Sequence, residues 1–260
     1  MSAGTASRFA GRTVVVTGGA GGIGSAVCDG FAAQGASVAV VDVTGSACRE
    51  VAEKIASTHG GRVAGFEADV SSRPAVTDLM ARVHEQLGGP DVLVTLAGGS
   101  LGTPKGLEDI TEEHLDLVVD VNLKGTFYCA QAAVPYMRAG GVVVTVSSIG
   151  GRQPSPVTGV PYAASKAAVL GLTRRLAREV GGRGVRVNAV APGLFLTGRL
   201  QKMYDEMPEA ERREVLDAIP LDRFPELREI VDPILFLASE ESSYITGVVL
   251  DVNGGRFMPL

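Results

Sequence analysis

Thr13-Val14-Val15-Val16-Thr17 runs directly into Gly18-Gly19-Ala20-Gly21-Gly22-Ile23-Gly24, and a helical pattern follows to about Gln34. A short β-branched run reads as a buried strand. Glycines let a backbone come close to a pyrophosphate, and the amides opening the next helix supply donors for it. The loop fits two registers. One is Gly19-x-Gly21-x-x-Gly24; the other is Thr17-Gly18-x-x-x-Gly22-x-Gly24. Glycines alone could mean only a tight turn. The strand before, the helix after, and Asp42 about twenty residues on favour a dinucleotide site.

Asp42 ends a second apolar strand, Ser37 to Val43. Its carboxylate there would accept from ribose hydroxyls and repel a 2′-phosphate. No Lys or Arg lies in the glycine loop or directly after Asp42 to offset that charge, so NAD is favoured over NADP. Further strands are expected near 62–67, 91–97, 142–146, 185–190 and 248–252. Helices are expected at about 46–58, from Ser72-Pro74 to Gly88, 111–138 (ended or kinked by Pro135), 162–181 and 225–239. Apolar strands alternating with helices give a parallel sheet covered on both faces. The fold class is therefore α/β: one doubly wound domain over residues 1–260, with about seven parallel strands. The irregular, charged segment 198–225 is read as a cap over the substrate. Ligands in such folds sit at the carboxyl ends of the strands.

The chemistry-bearing stretch runs from Ser148 to Lys166. Val142 to Val146 ends at Ser147-Ser148, and Pro161 suits a helix's first turn, followed by Tyr162-Ala163-Ala164-Ser165-Lys166. Tyr162 and Lys166 are four apart and share a helix face. A free phenol titrates near pH ~10. A cation about 4 Å away, at an effective dielectric of about 20, favours the phenolate by roughly 4 kcal/mol before desolvation. That is roughly three pKa units, enough to bring Tyr162 near 7, where a general acid/base works best. The chain has only five Tyr and five Lys, and such a pair can mean nothing more than a helix surface. Its company gives it weight.

The chain has 260 residues, 45% of them hydrophobic, with 34 glycines and a formal net charge of −5. That composition suits a globular core and argues against a nucleic-acid surface. Residues 1–10 carry no apolar leader run, and no stretch approaches the ~18 apolar residues of a membrane helix. Cys28, Cys48 and Cys129 have no metal or redox spacing and read as buried thiols of a reducing, cytoplasmic setting. His59, His84 and His114 stand apart, so no metal site is expected.

Together the TGxxxGxG loop, the strand-end serine and the YxxxK pair resemble the short-chain dehydrogenase/reductase family, which implies a Rossmann-like fold. Asp69-Val70, Asn122 within Val121-Asn122-Leu123-Lys124-Gly125, and Pro192-Gly193-Leu194-Phe195-Leu196-Thr197 extend the likeness, as does Ile245-Thr246-Gly247 to Asn253-Gly254-Gly255. The resemblance implies roles. Tyr162 exchanges the substrate proton, Lys166 depresses its pKa and holds the nicotinamide ribose, and Ser148 bonds the substrate oxygen. Asn122 positions a water linking Lys166 to solvent, and Thr197 holds the carboxamide. Gly18, Gly22, Ile23, Gly24, Asp42, Asp69, Val70, Ala97, Gly98, Pro192, Gly193 and Phe195 complete the cofactor site. Where the family usually carries Asn-Asn-Ala-Gly, this chain has Thr95-Leu96-Ala97-Gly98.

Substrate walls are expected from 99–109, 151–160 and 198–224. Arg152 or Lys105 could meet an acidic substrate, though solvated loop charge is the simpler reading. The first functional reading is an NAD-dependent interconversion of a small-molecule secondary alcohol and ketone. The alternative is reduction of a 3-oxoacyl thioester on a carrier protein or coenzyme A. A non-catalytic dinucleotide sensor would not need Ser148, Tyr162 and Lys166. The Ala/Gly-rich Tyr162 helix and the long helix before it resemble the family's subunit contacts, so a homotetramer is expected.

Overall fold

The computed structural model describes residues 7–155 and 157–259; residues 1–6, most of the stretch read as lacking a leader, lie outside it, as do residues 156 and 260. The strands are β1 (Thr13–Thr17), β2 (Ser37–Asp42), β3 (Val63–Glu67), β4 (Val92–Thr95), β5 (Val142–Val146), β6 (Arg186–Pro192) and β7 (Val249–Val252). They form one seven-stranded sheet of order 3-2-1-4-5-6-7, with every neighbouring pair parallel. The helices are α1 (Gly22–Ala33), α2 (Gly45–His59), α3 (Arg73–Leu87), α4 (Glu112–Val119), α5 (Gly125–Ala133), α6 (Val160–Val180), α7 (Arg199–Asp205), α8 (Glu209–Asp217) and α9 (Arg228–Ala238).

Both sheet faces are covered, which is why the strands read as unbroken apolar runs. Val14 and Val16 point into a core shared with Cys28 and Phe31 of α1, Ile55 of α2 and Ile234 of α9. Val15, between them, points the other way, toward Leu79 and Met80 of α3, Ala130 of α5 and Ala177 of α6. Each buried valine contributes roughly 1.5–3 kcal/mol by leaving water. Ser72 caps α3, its side chain accepting from the Ala75 amide, with Pro74 in the first turn. Among the described residues no helix is long and apolar enough to cross a membrane, and no group of three potential ligands is gathered for a metal.

The expected long helix 111–138 is not continuous. α4 gives way at Asp120–Lys124 to a π-turn, α5 resumes at Gly125, and a 3₁₀ turn at Val134–Tyr136 ends it at Pro135. The π-turn inserts one extra residue, and periodicity cannot show that, because apolar positions still recur on both sides. The irregular 198–225 segment holds two helices, α7 and α8. Their apolar positions are too sparse for a clean helical stripe, with Val215 the one buried residue of α8. The last helix begins at Arg228 rather than 225.

Candidate active site

The sheet order reverses between β1 and β4, because β2 and β3 lie on one side of β1 and everything after β4 on the other. The carboxyl ends of these central strands open into a crevice there. The glycine loop begins it. Gly21 caps α1, and Gly19 N–H donates to Val41 O at 2.8 Å, tying the loop to β2. Gly18 has φ +69°, and a Cβ there would lie 2.8 Å from the Ala97 nitrogen. A Cβ on Gly24 would lie 2.0 Å from the Gly18 carbonyl oxygen. Side chains at either position would force the loop off the sheet; Gly24 serves both registers, a Cβ on Gly19 would also lie 2.9 Å from the Val16 carbonyl oxygen, and Gly18 alone of these three has a positive φ.

Two cavities adjoin along this crevice and share Gly21, Ile23, Leu96, Gly98 and Thr197. The smaller, about 410 Å³, is lined by Gly18, Gly24, Asp42, Asp69, Val70 and Ala97 among others. Asp42 is held in place: its Oδ1 accepts from Val43 N at 2.8 Å and its Oδ2 from Ala20 N at 3.3 Å. Among the described residues the lining contains Asp42 and Asp69 and no lysine or arginine. The larger cavity, about 710 Å³, is lined by Gly22, Pro192, Gly193, Phe195 and Thr197, and by Ser148, Tyr162 and Lys166. Thr197 packs on the bare Cα of Gly22, where a Cβ would lie 2.9 Å away. A pyrophosphate cradle at Gly21–Ile23, a carboxylate at one end and an ammonium at the other fit an elongated dinucleotide.

Ser148 follows β5 and caps a 3₁₀ turn at Ile149–Gly151, its Oγ accepting from Gly150 N at 3.0 Å. Tyr162 and Lys166 lie one turn apart on α6, with Lys166 Nζ 6.0 Å from the Tyr162 ring centroid. Lys166 is 4% exposed, and Nζ donates to Val146 O at 2.9 Å. Burial pushes its pKa down from 10.5 to about 8. Ser147 Oγ donates to Lys166 O at 2.7 Å, stapling α6 to the end of β5. A Cβ on Gly150 would lie 3.5 Å from Ser148 Oγ, 3.5 Å from Tyr162 Cε1 and 3.3 Å from Thr158 Oγ1. These three side chains therefore surround one methyl-sized point. Thr158 Oγ1 is buried and has no hydrogen-bond partner among the described residues.

Asn122 differs from the other expected residues, because it lines neither cavity. It is fully buried in the π-turn. Its Oδ1 accepts from Gly99 N at 2.9 Å, while Nδ2 donates to Gly99 O at 3.1 Å and Ser165 Oγ at 2.9 Å. Its own carbonyl accepts from Thr126 Oγ1 at 2.7 Å. The amide thus clamps the loop after β4 to α6. Thr95 is 2% exposed and its hydroxyl also lacks a partner, so the departure from asparagine leaves a buried polar atom unpaired.

Of the expected walls, Lys105 and Thr158 line the larger cavity, but among the described residues of the 198–224 stretch only Gly198, Leu200 and Met203 do so. Arg152 is committed elsewhere. Its Nε lies 3.1 Å from Asp251 Oδ1 and its guanidinium stacks on Phe257 at 4.8 Å. Arg256, beyond the last strand, lines the cavity without any sequence pattern announcing it.

Comparison with known proteins agrees with this geometry. A family model described as Enoyl-(Acyl carrier protein) reductase matches residues 18–256. The chain is 40% identical over 250 residues to the 3-oxoacyl-[acyl-carrier-protein] reductase of Thermotoga maritima, covering 95% of this chain and 98% of that protein. It is 37% identical over 260 residues to the (3R)-3-hydroxyacyl-CoA dehydrogenase of Mus musculus, covering 96% and 98%. The crystal structure of a dehydrogenase/reductase from Sinorhizobium meliloti 1021 superposes with a TM-score of 0.89 at 32% identity, covering 98% of both chains. With this glycine loop, this sheet order and these relatives along nearly its whole length, the chain belongs to the short-chain dehydrogenase/reductase family and is an NAD(P)-linked oxidoreductase of CH–OH groups.

Proposed function

We propose that this protein is an NAD-dependent dehydrogenase interconverting a secondary alcohol and a ketone, with Tyr162 as general acid/base. The observation that carries the cofactor choice is the fixed Asp42 carboxylate in a cavity lined by no cation among the described residues. A 2′-phosphate there would meet like charge without compensation. Gly18, Gly22, Ile23, Gly24, Asp69, Val70, Ala97 and Gly98 would hold the adenosine and pyrophosphate, and Pro192, Gly193, Phe195 and Thr197 the nicotinamide end. When bound, the nicotinamide accepts the hydride. Tyr162 takes the hydroxyl proton as the C–H bond breaks, and Ser148 donates to the oxygen as it becomes a carbonyl. Lys166 stabilises the phenolate and holds the ribose. Asn122 acts through position, by fixing Gly99 and α6.

The relatives favour a second reading of the substrate, a 3-hydroxyacyl or 3-oxoacyl thioester, the class named for the Thermotoga maritima reductase and the Mus musculus dehydrogenase. The α7–α8 segment serves as a cap, with Leu200 and Met203 on the cavity. Leu115 and Leu117 of α4 and Phe127 of α5 are exposed apolar residues that suit a subunit contact, in keeping with a homotetramer. Fluorescence titration of NADH and NADPH, followed by a panel of secondary alcohols and 3-hydroxyacyl thioesters with NAD⁺, tests the reading. NADH is expected to bind at least tenfold tighter; tighter NADPH binding would refute the role given to Asp42.

A further inference from the structure

The cavity beside Tyr162 carries charge of one sign. Among the described residues its lining contains Lys105, Lys166 and Arg256 and no aspartate or glutamate, in a chain whose formal net charge is −5. Lys166 is occupied by the Val146 carbonyl at 2.9 Å and by its role beside Tyr162. Arg256 has no such commitment. It is half-buried, and no ion pair or side-chain hydrogen bond engages its guanidinium among the described residues. Its backbone is nonetheless fixed, with N–H donating to Asn253 O at 3.2 Å and the carbonyl accepting from Gln153 Nε2 at 3.3 Å.

Neighbouring carboxylates do not serve it. Arg256 also lines an adjoining cavity of about 260 Å³ whose acidic residues are Asp251 and Glu229. Asp251 lies 3.1 Å from Arg152, and Glu229 is held by Arg223 at 2.6 Å. A half-buried guanidinium without a counter-charge is an anion site waiting for its ligand, and its planar fork matches a carboxylate with two parallel hydrogen bonds. Lys105 adds a second cation on the cavity wall. Its backbone packs against Gly159, where a Cβ would lie 3.3 Å from the Lys105 Cα, so the stem is anchored close to the start of α6.

We infer that the substrate is a hydroxy acid, or an oxo acid in the reverse direction, with its alcohol between Ser148 and Tyr162 and its carboxylate on Arg256. This rests on the dehydrogenase reading and narrows it from alcohols in general to anionic ones. The reaction balances as hydroxy acid plus NAD⁺ giving oxo acid, NADH and one proton. The hydride leaves the carbinol carbon, the hydroxyl proton passes to Tyr162 and on to solvent, and the carboxylate is unchanged.

The test compares wild type, Arg256→Gln and Arg256→Lys on 2-hydroxybutyrate, 3-hydroxybutyrate and 4-hydroxypentanoate, their methyl esters and 3-hydroxybutyryl-CoA. Losing a charged hydrogen-bond partner lowers binding roughly 10- to 100-fold. For at least one acid, wild-type kcat/KM should exceed that of its ester by tenfold or more. Arg256→Gln should raise the KM of that acid at least tenfold and bring the acid-to-ester ratio to about one. Arg256→Lys should restore part of the ratio, and the NADH Kd should not move. An ester used as well as every acid overturns the inference, and so does a variant that shifts all substrates alike. Preference for the thioester with an unchanged KM in Arg256→Gln overturns the carboxylate site and leaves the dehydrogenase intact. Calorimetric binding of acetoacetate to the enzyme–NAD⁺ complex, which cannot reduce it, separates the two failures. A tenfold weakening by Arg256→Gln upholds the anion site even if no alcohol turns over, and no weakening sinks it.

Discussion

At the scale of single residues, the Tyr162–Lys166 pair is arranged less simply than spacing implies. Lys166 Nζ is 6.0 Å from the phenol ring centroid. A cation on that side of the ring favours the phenolate over the phenol. Burial also weakens the lysine's own hold on its proton, bringing it to about 8. Replacing Tyr162 with Phe should lower kcat by roughly 10²–10⁴ while the NADH Kd stays within twofold, since only proton transfer is lost; steady-state kinetics with a fluorescence titration decides it. Lys166 also makes a pH prediction. Its folded pKa of about 8 lies below its unfolded value of 10.5, so between those values the unfolded chain binds more protons and stability rises with pH. Urea unfolding at several pH values should show wild type gaining on Lys166→Met across that window by a few kcal/mol; parallel curves would show that the lysine is not desolvated.

At the scale of elements, two local devices shape the site. The π-turn at Asp120–Lys124 turns Asn122 inward, where its amide clamps Gly99 to α6. A regular helix would shift every following residue by about 100° and point that amide elsewhere. The second device is Arg186 at the start of β6. Its guanidinium donates to Leu237 O and Ser239 O at the end of α9, to Ile245 O and to Ser242 Oγ, at 2.8–3.4 Å. These satisfy carbonyls that a helix end leaves open. Arg186→Met should destabilise the protein by roughly 3 kcal/mol, because several half-buried acceptors lose their partner at once. Thermal unfolding and a urea series should show this with near-normal kinetics below the transition. An unchanged urea midpoint would mean that water replaces the side chain without loss.

At the scale of the whole molecule, the parallel order 3-2-1-4-5-6-7 brings residues more than a hundred positions apart to the carboxyl end of the sheet. Gly22 meets Thr197 there, and Ser148 faces Tyr162 across Gly150. Leu115, Leu117 and Phe127 are among the exposed large apolar residues, and a subunit contact along α4 and α5 would cover them. Light scattering at micromolar concentration should give about four times the 26.9 kDa chain mass, and Leu117→Glu should shift the distribution toward smaller species. A monomer at that concentration would end the tetramer reading.

The strand–glycine–helix passage, the apolar runs and the i,i+4 spacing were enough to determine the fold class and to point at Ser148, Tyr162, Lys166 and Asp42. Each of these is a local consequence of backbone geometry: a strand end, a helix face, a turn that excludes a Cβ. Tertiary structure decided the rest. The π-turn, the pairing of Arg152 with Asp251, the unpartnered hydroxyls of Thr95 and Thr158 and the open charge of Arg256 all depend on what a side chain meets after long-range packing. Periodicity records which face of an element is apolar; whether a buried polar group finds a partner is fixed only when distant segments close around it.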